Sequence, residues 1–520
     1  MRATEFLATG PANHVGVNTY EIAGDAIRSH NPARPAETIW QGTSDLAHVA
    51  EAVEDARKAF NTWSATPLEQ RIRVLQTYKE LLARRVDDFA MLISLETGKA
   101  LWDSKGEAGI LAGKVDITLE DAQNSGRARI TGYEVAVNET RRGVCSFRPH
   151  GVMAVVGPFN FPAHLPNGHI IPALLAGNTV VFKPSDKTPA VGQLLSETIR
   201  EALAEHDMPV GVVNTVHGEA DVASTLVAHD GIDGILFTGS WPVGRKILEA
   251  NLDNPGRIIA LEMGGNNPSI VMDSADIHQA LVETARCSFV TTGQRCTCTR
   301  RIIVHEGIAD EFIERLCDAA RSATVGDPLA EPPNFIGPII REESQSAVLR
   351  YAEEIVAGGG ELLVEPYIPE VEGCEDGHFI TPGVARVDEF TCSQEGPVKD
   401  AGCDTEVFGP LVRVSVVDSF QEALAQANAT RFGLSSSLFS SKQSEIDAFL
   451  RLARAGCVNI NAGTAGASSK LPFGGLGISG NHRPAGSFAL DYCAYPVASM
   501  IESGDACITP PGISFERQSV

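Results

Sequence analysis

The fold is decided between residues 152 and 250, where VMAVVG (152–157), TVVFKPS (179–185), VVNTVHG (212–218) and GILFTGS (234–240) are separated by helix-forming segments such as QLLSETIREALAEH (193–206) and VGRKILEA (243–250). Each apolar run is short, rich in β-branched residues and stopped by Gly, Pro or Ser. This alternation predicts an α/β architecture in which a parallel sheet is covered by helices on both faces.

The same rhythm recurs downstream, with SIVM from Ser269, RIIVHE at 301–306, the helical DEFIERLCDAARSA at 310–323, LVRVSVV at 411–417 and ALAQANAT at 423–430, which predicts a second α/β unit. LEMGGNNP at 261–268 lies between the two, and its paired glycines and Pro268 suit a crossing point. Upstream, DLAHVAEAVEDARKAFNTW (45–63) and RIRVLQTYKELLARRVDDFAMLISLE (71–96) have the period of amphipathic helices, so the region to about residue 125 reads as a helical cover. The stretch from Cys374 to Asp404, rich in Gly, acidic residues and Cys, reads as an exposed insertion. The first thirty residues carry no motif.

With 520 residues, 43% of them hydrophobic, the chain is long enough for several units with a large core. The richest apolar region, Ile170 to Phe182, is broken by Pro172 and Asn178, so no membrane span is expected; the opening MRATEFLATGPANH has no apolar signal core, which points to the cytoplasm. A net charge of -24 without a basic face argues against nucleic acid as a partner, and an anionic substrate would need local positive groups against that field. Eleven dispersed cysteines fit free thiols in a reducing compartment. Cys296 and Cys298 form a C-x-C pair with no further His or Cys ligands close by, so no metal is expected.

Several residues could carry chemistry, each with a plainer alternative. In GILFTGSWPVGRKI, Ser240 stands at a helix N-cap with Pro242 in the first turn; Gly239 and Gly244 allow a phosphate to approach the amides, or the run is simply a tight turn. Lys183 ends an apolar strand and Asp186 follows it, a pair fit to hydrogen-bond ribose hydroxyls and to repel a 2′-phosphate, or else an ordinary surface pair. Cys296, after Gly293 and Arg295 in TTGQRCTC, is a small buried thiol or a nucleophile; as a nucleophile it needs cationic or amide neighbours to lower its pKa, and Arg295 either serves there or points away. Glu262 in LEMGG is either a structural cap or, raised by burial, a base near neutral pH.

The order and spacing of GPFNFP, FKPS, FTGS with a glycine four residues after the serine, LEMGG, GQRC, EVFGP and PFGG resemble the aldehyde dehydrogenase family, over roughly residues 30 to 500. That resemblance implies two Rossmann-like α/β domains plus a β-hairpin oligomerisation arm: an NAD-binding domain at 1–125 and 151–261, a catalytic domain at 262–480, and an arm and tail at 126–150 and 481–520. It implies that Cys296 is the nucleophile, Glu262 the base for thioester hydrolysis, and Asn160, with the Cys296 amide, the oxyanion hole. It further implies that NAD is the cofactor, held by Lys183 and Asp186 at the ribose, Gly239 to Gly244 (with Ser240) at the pyrophosphate, and Glu406 and Phe408 at the nicotinamide half, in a homodimer or homotetramer.

FNFPAHLPNGHIIPALLAGNTVVFKPS (159–185), LEMGGNNP, TTGQRCTCTRR (291–301) and SGNHRPAGSFALDYCAYPVAS (479–499) resemble a narrower group within that family, the N-succinylglutamate 5-semialdehyde dehydrogenases of arginine catabolism. Asn266 after the paired glycines and the C-x-C pair are features of that group. The substrate so implied is a small aldehyde bearing two carboxylates, which positive or donor groups must pair, with His164, Asn167 and Arg295 as candidates beside the motifs. Asp186 stands where the group usually has Glu, and SWPVG replaces a smaller turn. The competing readings are another acidic semialdehyde, a CoA-acylating enzyme, which commonly lacks the base that Glu262 provides, and a catalytically silent scaffold, which would have lost Cys296, Glu262 or Asn160.

Overall fold

The computed structural model describes residues 5–120, 129–391, 403–504 and 510–513. In the first of two seven-stranded sheets, the strands run Ile258–Glu262, Gly234–Thr238, Val152–Val156, Thr179–Lys183, Val213–Thr215, then Ala12–Val15 and Asn18–Glu21. The five strands in 152–262 are parallel, four of them predicted and Ile258–Glu262 not, and Gly234–Thr238, Val152–Val156 and Thr179–Lys183 are buried at every position, which is why they read as short, largely apolar runs. In chain order their arrangement is 3-2-1-4-5. The crossover from Val152–Val156 runs to one side of the sheet and that from Gly234–Thr238 to the other, so a crevice opens beyond the carboxyl ends of these two neighbouring strands.

The second sheet runs Glu361–Val364, Gly383–Arg386, Leu411–Val417, Thr299–His305, Asn267–Val271, Ser435–Phe439, Cys457–Ile460, parallel except for its first strand. A third, three-stranded sheet pairs Arg141–Pro149 with Tyr133–Ala136 and Ala494–Glu502. Residues 126–128 of the expected arm lie outside the described residues.

The helical cover is present as five helices between Ala47 and Leu119, but the reading of everything before residue 125 as helical is corrected at the start. Ala12–Val15 and Asn18–Glu21 extend the first sheet antiparallel, and Ile27–Asn31 pairs with Arg34–Gly42 as a hairpin. Polar residues interrupt these strands, so none shows an apolar run; backbone pairing joins them, and Val15, Ile27, Ile39 and Trp40 anchor them in the core.

The insertion is corrected too. Cys374 is 3% exposed, Phe379 1% and Ile380 0%, and Gly383–Arg386 is an inner strand against Leu411–Val417. A four-residue strand flanked by Gly and acids leaves no periodic signal; residues 392–402 of that stretch lie outside the described residues.

Residues 481–493, expected in the arm, belong elsewhere. Asn481 accepts from the Leu261 amide at 2.8 Å and donates to the Ile259 carbonyl at 3.0 Å, edging the first sheet, while Ala489, Leu490, Tyr492 and Cys493 join that body's core. Pairing with the arm begins at Ala494. No described helix is long and apolar enough to cross a membrane.

Candidate active site

The chain leaves the first sheet at Glu262, the carboxyl end of its strand, and enters the second at Asn267, the amino end of the next. Only four residues separate the two. The carboxyl edge of one sheet is therefore held against the amino edge of the other, and the loops that precede Thr299–His305 and Leu411–Val417 bring Cys296, Glu406 and Phe408 to the crevice. A cavity of about 980 Å³ lies there, lined by Asn160, Lys183, Asp186, Gly239, Ser240, Cys296, Glu406 and Phe408, eight of the positions singled out in the sequence.

At the dinucleotide end, Ser240 caps Trp241–Glu249 by position while its side chain makes no capping bond, leaving that hydroxyl to the cavity. The Asp186 carboxylate is bound by the Lys187 ammonium. Burial works to raise the Asp186 pKa, but Lys187 and Lys183 overcome it and keep the group below the usual range; burial lowers Lys183. Gly244 departs from expectation. It does not line the cavity; it is buried with its N–H on the Ser240 carbonyl at 3.0 Å, and a Cβ there would meet the Met263 sulfur at 2.3 Å, so its smallness lets the helix pack on the strand end.

The nucleophile loop is built from polar clamps. Thr291 (φ 56°) and Thr292 (φ 54°) adopt the left-handed region that β-branched residues avoid. Thr291 Oγ1 donates to Asp103 at 2.6 Å and Thr292 Oγ1 to the Gly337 carbonyl at 2.9 Å, holding that geometry. Asn267 Nδ2 donates to the carbonyls of Cys296 and Cys298, each at 2.8 Å, and Arg300 to those of Gly293 and Gly409. Asn160 Nδ2 donates to the Gln294 carbonyl at 3.0 Å, so its amide is already oriented beside the loop.

Cys296 is partly accessible, and its thiol is raised well above 9 by burial and then by the carboxyls of Glu262 and Glu406. Of the two readings of Arg295, the structure takes the one in which it is turned from the thiol: Arg295 Nη2 donates to Asp103 at 2.6 Å and its Nε to Thr291 Oγ1 at 2.7 Å, so its charge is spent on a carboxylate. Glu262 is 1% exposed, neither of its oxygens has a hydrogen-bond partner among the described residues, and burial pushes it well above the carboxylate range against the opposing charge of Arg483. Glu406 accepts from the Gly265 amide at 3.0 Å and is pushed up to about 7 by burial. Phe408 packs edge-on to Phe159 at 5.9 Å beneath the Arg300 guanidinium.

A second cavity of about 160 Å³ shares Cys296 with the first and is walled by Lys114, Phe161, His164, Arg295 and Ser468 among others. Two of the three substrate candidates are therefore brought to it, and Asn167 is not. Asn167 is fully buried, accepting from Tyr78 Oη at 2.9 Å and donating to the Leu111 carbonyl at 3.2 Å, because its place on the helix His164–Ala176 turns it into the helical cover. The sequence reading passed over Asp103, Lys114, Asn267, Arg300 and Arg483; the last three lay in quoted motifs, whereas Asp103 and Lys114 lay in none. Asn266, noted for its position alone, donates to the carbonyls of Cys403 and Thr405 and so steadies the segment leading to Glu406.

Residues 20–496 match the aldehyde dehydrogenase family. The chain is 42% identical to an N-succinylglutamate 5-semialdehyde dehydrogenase of Novosphingobium aromaticivorans, over 92% of this chain and 96% of that protein. The crystal structure of a putative aldehyde dehydrogenase from Burkholderia cenocepacia superposes with a TM-score of 0.87 at 30% identity, covering 98% and 100% of the two chains. PnpE in complex with nicotinamide adenine dinucleotide superposes with a TM-score of 0.87 at 31% identity, covering 96% and 99%.

Proposed function

The chain belongs to the aldehyde dehydrogenase family, an NAD-dependent aldehyde oxidoreductase, and we propose that its substrate is N-succinyl-L-glutamate 5-semialdehyde, oxidised to N-succinyl-L-glutamate through a thioester on Cys296. The observation that carries this reading is the position of Cys296, which with Leu165 walls both cavities. One cavity has the lining of a dinucleotide site and the other is small, so the sulfur stands where hydride donor and acceptor meet.

In this reading the Cys296 thiolate bonds to the aldehyde carbon, and the oxygen, now anionic, takes hydrogen bonds from Asn160 Nδ2 and the Cys296 amide. NAD, when bound, accepts the hydride from that carbon. Glu262 then removes a proton from the water that attacks the thioester, the C–S bond breaks, and the sulfur leaves as the thiolate. Burial with no donor to its oxygens makes Glu262 a stronger base than a solvated carboxylate. That base favours water over CoA as the acyl acceptor, because a thiol needs less help.

Lys183 and Asp186 are assigned to the adenosine ribose, Gly239 and Ser240 to the pyrophosphate, and Glu406 with Phe408 to the nicotinamide half. The first α/β body is assigned to NAD, the second to catalysis, and the three-stranded sheet to a homodimer or homotetramer contact, with Tyr133, Val135 and Met500 exposed on it. The described cysteines are free thiols, in keeping with a cytoplasmic enzyme.

The test is NADH formation with a panel of aldehydes, with and without CoA, for the wild type and Cys296→Ala. The wild type is expected to prefer succinylglutamic semialdehyde without CoA. Cys296→Ala is expected to bind NAD and turn over nothing; residual dehydrogenase activity in it would overturn the assignment of the nucleophile.

A further inference from the structure

The second cavity holds a charge that the catalytic scheme does not use. Lys114, on the helix Leu111–Leu119, is 3% exposed, and its Nζ donates to the Gly486 carbonyl at 3.0 Å. No carboxylate among the described residues pairs with it. Two other cations at this cavity are different: Lys99, over the Phe161 ring, meets Glu107 at 2.5 Å and Arg295 meets Asp103 at 2.6 Å, so both are neutralised. A buried ammonium without a counter-ion is costly and is normally relieved by an anion or by loss of its proton. Burial lowers Lys114 to about 8, which leaves it mostly charged at neutral pH and ready to gain from an anion.

His164 lines the same cavity. Its Nδ1 has no hydrogen-bond partner, and burial, with the charges of Lys114 and Lys99, lowers it to about 3, so it stays neutral and offers an N–H rather than a second charge. Backbone amides of Ala163 and His164 donate to Glu107 Oε1, each at 3.1 Å, which pins the helix start carrying this ring.

We propose that the Lys114 ammonium is the counter-ion for a carboxylate of the aldehyde substrate, with His164 as a neutral hydrogen-bond donor beside it. This rests on the reading of the substrate as an acidic semialdehyde and adds the group that selects for it. Cys296 and Lys114 wall one cavity, so a chain with an aldehyde at one end and a carboxylate further along spans between them. The anion finds a partner only once it has left the acidic surface, so the site discriminates against neutral aldehydes by leaving Lys114 uncompensated.

The experiment compares the NAD-loaded wild type, Lys114→Met and Lys114→Gln on succinylglutamic semialdehyde, glutaric semialdehyde and butanal. Lys114→Gln keeps an N–H for the Gly486 carbonyl while removing the charge, which separates selectivity from packing. Both variants are expected to lose on the order of 50-fold in kcat/KM for the acidic aldehydes, mainly through KM, with butanal changed by no more than about twofold. An equal loss for butanal, or no loss for the acids, would overturn the role of Lys114. A wild type that prefers glutaric semialdehyde, with the charge-selective loss still present, overturns the substrate reading and leaves Lys114 in place.

Discussion

The Arg295 guanidinium donates to the Asp103 carboxylate at 2.6 Å, across 192 residues of sequence, and the same carboxylate accepts from Thr291 Oγ1 at 2.6 Å. One buried acid thus ties the segment leading into Cys296 to the helical cover at two points. Thr291 could not rest in the left-handed region without such a hold, since the strain there is on the order of 1–3 kcal/mol.

Asp103→Ala is expected to destabilise the protein by about 3 kcal/mol, because Arg295 is left charged and unpaired. It is also expected to lower kcat at least tenfold with the NAD dissociation constant unchanged, since Asp103 does not line the dinucleotide cavity. Urea melts and fluorescence titration with NAD check this; a variant with wild-type kcat would show that the loop keeps its shape alone.

Glu262→Gln is expected to form about one equivalent of NADH per site and then stall, with kcat lowered at least 100-fold, the range associated with removing a general base. Mass spectrometry of the stalled enzyme is expected to show the acyl increment on Cys296. Normal turnover with no adduct would remove Glu262 from the deacylation step.

Burial and two nearby carboxyls hold the Cys296 thiol well above 9, so thiolate is scarce at neutral pH in the NAD-free protein. Iodoacetamide inactivation is therefore expected to speed up about tenfold per pH unit between 7 and 9, following the thiolate fraction. A plateau near pH 7 would mean that the thiol is acidified by groups other than those described.

Glu96 offers a stability test away from the site. It is fully buried, accepts from Ser29 Oγ and from the Ala190 and Val191 amides at the start of the helix Pro189–Glu205, and burial raises it from 4.5 to about 7. A raised folded-state pKa means the native protein keeps a proton that the unfolded chain has lost. Its contribution is complete below pH 4.5 and is lost as pH rises to about 7, a change of about 3 kcal/mol. Glu96→Gln should remove that part of the slope in urea midpoints measured from pH 4.5 to 7.5; an unaltered slope would assign it to other groups.

Asp186→Ser is expected to raise the NADP-to-NAD ratio of kcat/KM at least tenfold by removing the negative charge that repels a 2′-phosphate. Steady-state rates with both cofactors decide it, and an unchanged ratio counts against the ribose assignment.

What was legible from the residues alone is whatever one stretch of chain imposes on itself. Val152–Val156, Thr179–Lys183 and Gly234–Thr238 announce buried parallel strands because side chains on both faces are buried and most must be apolar, and Glu262 announces a raised carboxyl because apolar residues and glycines surround it. The short strands before residue 45 and Gly383–Arg386 stayed hidden, since four or five residues broken by polar side chains or Gly are too few to show a period. Only the tertiary structure could separate Asn167 from Lys114. Asn167 lies beside the motifs and is turned into the core, whereas Lys114 lies more than 180 residues from Cys296 and shares its cavity. Which groups face each other across a cleft depends on how whole elements are oriented. That orientation follows from the packing of two sheets edge to edge, a constraint summed over hundreds of contacts and written in no single segment.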